Sequence, residues 1–343
     1  MSRTITLFAL AVMSAFGGSR SALAEEPKPL PQHPTFGRIE RLDPRFDDLI
    51  PKDAKLEKLA EGFAWSEGPV WNRKEGFLLF SDIPRNRVMK WQNDSLDVFL
   101  EPAGYTGAAK RGGETGSNGL TYDHQGRLVL CQHGDRRVAR LEKDGHFTVI
   151  ADKYQGKRFN SPNDLCYKSN GDLYFTDPPY GMEKNWDDPA RELDFCGVYR
   201  ATPDGKVDLL TKEVKRPNGI CLSPDEKILY VGSSDPDMAI WRAYEVKPDG
   251  TIGKARVFFD CTEWVKQMLP GLPDGMKADR NGNLFATGPG GVHIFAADGT
   301  HLGRIDTGER TANCNWGGDG STLYVTANMY LCRIKTATKG NGW

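Results

Sequence analysis

Long apolar runs are nearly missing from this 343-residue chain. The one such stretch, Ile5 to Phe16, is too short to span a bilayer, and no other segment is a candidate for crossing one. Net charge is missing too. Lys and Arg number 45 against 46 Asp and Glu, which gives no electrostatic case for a nucleic-acid partner or an anionic membrane. No Gly-x-Ser-x-Gly elbow occurs, which argues against a serine esterase. The six histidines neither cluster nor take zinc-hydrolase spacing, and no Gly-rich phosphate loop follows a strand. The seven cysteines form neither a CxxC pair nor a zinc knuckle. Their odd number leaves at least one without an intramolecular partner, and core filling accounts for most of them.

What the chain has is turns. Its 38 glycines and 21 prolines are spread along its whole length, with no long helical pattern to compete, so many short strands are expected. The N-terminus is separate. Arg3, the apolar run and the small-x-small site Ala22-Leu23-Ala24 read as an export signal over residues 1–24, which predicts a periplasmic or secreted protein. Residues 25–52, rich in proline and charge, read as an extension, and 339–343 as a short tail.

Between them, over residues 53–338, one plan recurs. Asn163-Asp164 leads through a first strand and the turn Ser169-Asn170-Gly171 into Leu173 to Thr176. Glu67-Gly68, Asn118-Gly119, Asn218-Gly219, Asp274-Gly275 and a looser copy at Cys314-Asn315-Trp316 do the same. The copies begin at 67, 118, 163, 218 and 274 and near 312, a spacing suited to four-stranded blades. Several reach a hairpin turn between their third and fourth strands, at Asp144-Gly145, Asp204-Gly205, Asp249-Gly250 and Asp298-Gly299. The architecture predicted is all-β, a six-bladed β-propeller with a central metal site. The last blade is one strand short, and the segment from Leu56 to Trp65 can complete it and close the ring. The insertions Tyr180 to Asp194 and Asp260 to Gly271 are long enough to cover one face.

In a propeller the first strand of each blade lines the central channel, so the residues just before it ring one mouth. Here they read Glu67, Asn118, Asn163, Asn218 and Asp274, with Ala312 or Asn313 last. The second strands end at the same mouth with residues that include Asp82, His133 and Asp177. Oxygen-rich rings suit a hard cation. Two carboxylates, Glu67 and Asp274, with two amides, Asn163 and Asn218, neutralise a divalent ion and leave room for water and substrate. A single Asn-Gly is an ordinary turn former; the set at equivalent positions points to metal.

Ser66-Glu67-Gly68-Pro69-Val70-Trp71, Asn163-Asp164, Pro217-Asn218-Gly219 and Pro273-Asp274-Gly275-Met276, in this order, resemble the motifs of the gluconolactonase family, the SMP-30/regucalcin-like six-bladed propellers. Thr311-Ala312-Asn313-Cys314 with Gly317-Gly318 resembles its last-blade signature. The resemblance implies a divalent ion, usually calcium with zinc or manganese as alternatives, held by Glu67, Asn163, Asn218 and Asp274. It also implies hydrolysis of a sugar lactone with Asp274 as general base. Animal members carry Arg two residues before the metal-binding Asn, where this chain has Ser161. The stretch Lys110-Arg111-Gly112-Gly113-Glu114 resembles bacterial gluconolactonases instead.

On this reading the ion polarises the lactone carbonyl, and Asp274 takes a proton from the attacking water and returns one to the ring oxygen. Asp177 is a substitute base and His133 a candidate proton carrier, while a histidine fixed in the channel wall explains His133 equally well, and for Asp82 and Asp177 a turn or supporting role is favoured over direct catalysis. Asn118, His133 and Asp177 are the expected substrate contacts, and the partner is a small sugar lactone. Two rivals stand beside this: a calcium-dependent arylesterase or phosphotriesterase, and a non-catalytic ligand-binding propeller with structural calcium.

Overall fold

Six antiparallel sheets, four of four strands and two of five, stand around a common centre in the computed structural model, which describes residues 33–343. The expected export signal, residues 1–24, lies outside the described residues. Blade 1 runs Ser66–Asn72, Phe77–Asp82, Arg87–Gln92 and Ser95–Leu100. Blades 2, 3 and 4 begin at Ser117–Tyr122, Leu165–Tyr167 and Pro217–Leu222, and blades 5 and 6 at Met276–Ala278 and Thr311–Gly317. Blades 1 to 4 are simple meanders, every strand pairing with the next in sequence, while blades 5 and 6 also take strands from the N-terminal side of the chain.

The reason lies in the strands themselves. A blade is covered on both faces by its neighbours, so its inner strands need not alternate polar and apolar residues. Phe77–Asp82 and Leu173–Asp177 are accordingly buried at every position. The core is therefore a ring of six wedges rather than one mass. Phe80 of blade 1 packs with Leu331 of blade 6, Leu130 of blade 2 with Leu79 of blade 1, and Phe175 of blade 3 with Val129 of blade 2. Tyr174 and Val231, Trp241 and Phe295, and Ile294 and Trp316 fill the remaining three. Each such side chain contributes about 1.5–3 kcal/mol on burial.

The hairpin turns between third and fourth strands form as the sequence predicts. Gly145, Gly205, Gly250 and Gly299 adopt φ of 80–93°, the left-handed position of a three-residue hairpin loop. Closure also matches expectation. Leu56–Glu61 pairs with Tyr330–Lys335, Leu331 opposite Ala60 and Arg333 opposite Glu57, so the N-terminal side of the unit supplies the outer strand of the last blade.

The extension from residue 33 to 52 does more than lie against the surface. Thr35–Phe36 adds to the edge of blade 6 and Arg38–Arg41 to the edge of blade 5, and Phe46 and Ile50 are fully buried between those blades. At the other terminus, Gly340 bridges to Asp279, and the Trp343 ring takes the Arg73 guanidinium over its face. Both segments are parts of the propeller that lack the repeat's pattern. The seven cysteines are free, six buried and Cys166 half-buried, and Cys131, Cys221, Cys314 and Cys332 sit in inter-blade wedges.

Candidate metal centre

The inner strands bulge where the chemistry is expected. Register slips between Glu67 and Val70, Ser117 and Leu120, Pro217 and Ile220, and Thr311 and Asn313. In blades 3 and 5 the ladder starts only at Leu165 and Met276, just past Asn163 and Asp274. A bulge takes a residue out of the ladder and re-aims its side chain, and here it turns the ring residues towards one cavity. That cavity, of about 620 Å³, is lined by Glu67, Asn118, Asn163, Asn218 and Asp274 together.

A second device fixes these loops. A hydroxyl near the end of a second strand donates to the backbone of the next blade's ring loop: Ser81 to Asn118 O (2.8 Å), Thr176 to Asn218 O (2.7 Å), Ser234 to Pro273 O (2.6 Å) and Thr287 to Ala312 O (2.9 Å). Gly119 N–H donates to Asn163 O and Gly275 N–H to Ala312 O, both 2.8 Å. Each mouth position is thus held by its neighbour. The sequence signal for this, a Ser or Thr closing the second apolar strand, is visible in hindsight at Ser81, Thr176 and Thr287 but is too common to single out.

The amides that line the cavity have oxygens to spare. Asn218 gives its Nδ2 to Ser234 Oγ (2.9 Å), which leaves its Oδ1 directed away. The Oδ1 atoms of Asn118, Asn163 and Asn218 are all buried without a partner, a costly state for amide carbonyls unless something bound completes them. Between them stand two carboxylates. Glu67 accepts from Asn313 Nδ2 (3.0 Å) and from Gly68 N–H. Burial, then the charge of Asp164, pushes Glu67 up to about 8. Burial, then the charge of Glu67, holds Asp274 well above the ordinary carboxylate range. What exposure Asp274 keeps is towards the cavity. Among the described residues no group of three His, Cys, Asp or Glu side chains gathers at metal-binding distances, so the oxygen donors here are two carboxylates and amide carbonyls. That set fits a hard divalent cation: two negative charges balance it, and the orphaned carbonyls supply the neutral ligands.

Asp177 and His133, expected to meet substrate, stand behind the cavity wall. The Asp177 carboxylate accepts the N–H groups of Asn160 and Ser161, both at 2.8 Å, and shapes the loop that leads to Asn163. Burial pushes its carboxyl up to about 7 against those two bonds. His133 is fully buried. Sequence reasoning missed Glu114, Tyr180 and the apolar lip Val265 to Leu272, all of which line the cavity. The lip and Tyr180 come from the two insertions expected to cover a face. Glu114 lies in a loop between blades, with no counterpart in the repeat.

With this geometry established, similarity to known proteins has a structural context. Residues 65–329 match the SMP-30/Gluconolactonase/LRE-like region model. The chain belongs to that family. Within this SMP-30/gluconolactonase family, a gluconolactonase of Zymomonas mobilis is 40% identical over 314 residues, 89% of this chain and 88% of its own. A pentonolactonase of Haloferax volcanii is 28% identical over 269 residues, 76% of this chain and 80% of its own. Among solved structures, a gluconolactonase from Xanthomonas campestris superposes with a TM-score of 0.77 at 32% identity, covering 89% of this chain and 97% of that one.

Proposed function

We propose that this protein hydrolyses a sugar lactone of the glucono-1,5-lactone type in a reaction that depends on a divalent cation, calcium first. The carrying observation is the convergence of three orphaned amide oxygens and two carboxylates on one cavity. The family relatives named for gluconolactone and pentonolactone hydrolysis support the substrate class. A cavity of about 620 Å³ is of the size that small-ligand clefts take.

Glu67, Asn163, Asn218 and Asp274 would hold the ion. When bound there, it supplies Lewis-acid polarisation of the lactone carbonyl and charge stabilisation of the oxyanion. The chain's own residues do the rest. Asp274, which lines the cavity, removes a proton from the water that attacks the carbonyl carbon. As the carbonyl carbon's bond to the ring oxygen breaks, the same carboxyl returns a proton to that oxygen, giving a hydroxy acid. Asn118, which also lines the cavity, hydrogen-bonds substrate. Asn313 and Gly68 hold the Glu67 carboxylate in place, and Asp177 acts on the site only through the loop it braces.

The test is acid release from D-glucono-1,5-lactone by protein that has been chelated and then reloaded with calcium, zinc or manganese. Metal-dependent turnover lost in Asp274→Asn is the expected result. Full turnover without metal would refute it, and a bound ion without turnover on any lactone would leave a binding protein.

A further inference from the structure

His133 directly follows the second strand of blade 2, Leu128–Gln132, and is wholly buried, yet neither ring nitrogen has a hydrogen-bond partner. The nearest acidic oxygen is Glu114 Oε2, 3.4 Å from Nδ1, a few tenths of an ångström beyond hydrogen-bond length. A Cβ on Gly181 would stand 2.3 Å from His133 Cβ, so the Tyr180-Gly181 backbone is pressed directly against it. Arg111 clamps both sides of the slot, donating to Gly134 O and to Gly181 O at 2.6 Å each. His133 N–H donates to Gly116 O (3.1 Å), which ties the loop carrying Glu114 to the strand. Three separate segments are thus locked around one imidazole whose free nitrogen faces one carboxylate.

That carboxylate lines the cavity beside Asn118 and Asp274. It is not required for charge balance, since Glu67 and Asp274 already neutralise a divalent ion, and it lies outside the positions that the repeat makes equivalent. An ionised carboxylate only accepts hydrogen bonds, and a polyhydroxylated ring offers O–H donors. We propose that Glu114, oriented by an N–H of the buried His133, is the specificity-determining acceptor that binds substrate hydroxyls and selects hydroxylated lactones over bare ones. His133 is then a positioning residue. This inference rests on the lactone-hydrolase reading.

The test compares kcat/KM for D-glucono-1,5-lactone with that for unsubstituted δ-valerolactone, using calcium-loaded full-length protein. Glu114→Leu is expected to lower the ratio by about tenfold to a hundredfold, the effect of losing charge-assisted bonds to hydroxyls. Glu114→Gln, which keeps a carbonyl acceptor, restores much of it. His133→Phe raises KM for the hydroxylated lactone more than it lowers kcat. Equal losses on both lactones would overturn the proposal, as would a parallel loss of calcium affinity by calorimetry, because Glu114 would then serve the ion. Binding of gluconate to the loaded protein gives a readout without turnover. If wild type turns over neither lactone but binds gluconate more tightly than Glu114→Leu, the lactonase reading fails and the subsite stands. If the two bind alike, the subsite fails.

Discussion

Removing Asp274, the carboxylate proposed as general base, should make the chelated protein more stable. In the folded chain burial pushes Glu67 from its ordinary 4.5 up to about 8, and burial, then the charge of Glu67, raises Asp274 in the same direction. Between those two values the folded protein keeps a proton on Glu67 that the unfolded chain has released, so stability falls as pH rises through the window. For Glu67 alone the shift from 4.5 to about 8 corresponds to roughly 4–5 kcal/mol at 1.36 kcal/mol per unit. Asp274→Asn removes a second buried carboxyl whose ionisation burial and the charge of Glu67 oppose, a gain of about 2–4 kcal/mol at pH 8.5 on the scale seen when buried ionic groups are replaced. For a unit of about 300 residues that is a gain of roughly 3–6 °C in Tm. Thermal unfolding followed by circular dichroism, in chelator at pH 5 and pH 8.5, measures it. The wild type should lose more Tm than the variant between the two values. Calcium should reverse the order by stabilising the wild type more. A variant no more stable than wild type in chelator at pH 8.5, or a gap unchanged between the two pH values, would refute the reasoning.

Ser234→Ala removes the hydroxyl that orients Asn218 and holds Pro273 O; calcium affinity by calorimetry should fall by about tenfold or more, the usual effect of losing an orienting partner. Gly275→Ala places a Cβ 1.9 Å from Asn313 Cγ, which should destabilise the fold by about 1–3 kcal/mol in urea titration and displace the amide that donates to Glu67. Thiol titration without reductant should find all seven cysteines in denaturant and almost none in the native protein, since all are free and six are buried; fewer than seven would reveal a disulfide.

Much of the site was legible because the fold is a repeat. A plan that returns six times marks equivalent positions, and equivalence placed Glu67, Asn118, Asn163, Asn218 and Asp274 around one cavity. The same logic placed His133 and Asp177 at the mouth, and there it reached its limit. Position in a repeat says which end of the blade a residue occupies, but not whether its side chain faces the cavity or is claimed by the neighbouring loop. For Asp177 two backbone N–H groups decide the matter.

By itself, then, the sequence determined the blades, their hairpins, the closing strand and the ring of oxygen donors, because each follows from local patterning repeated around an axis. Tertiary structure alone decided the rest. Glu114, Tyr180 and the lip from Val265 to Leu272 reach the cavity from loops of unrelated sequence, and Phe46 and Ile50 enter the wedge between blades 5 and 6 from a segment with no periodicity. A loop's destination depends on which neighbour's surface and hydrogen bonds it meets, and those partners lie far away in the chain.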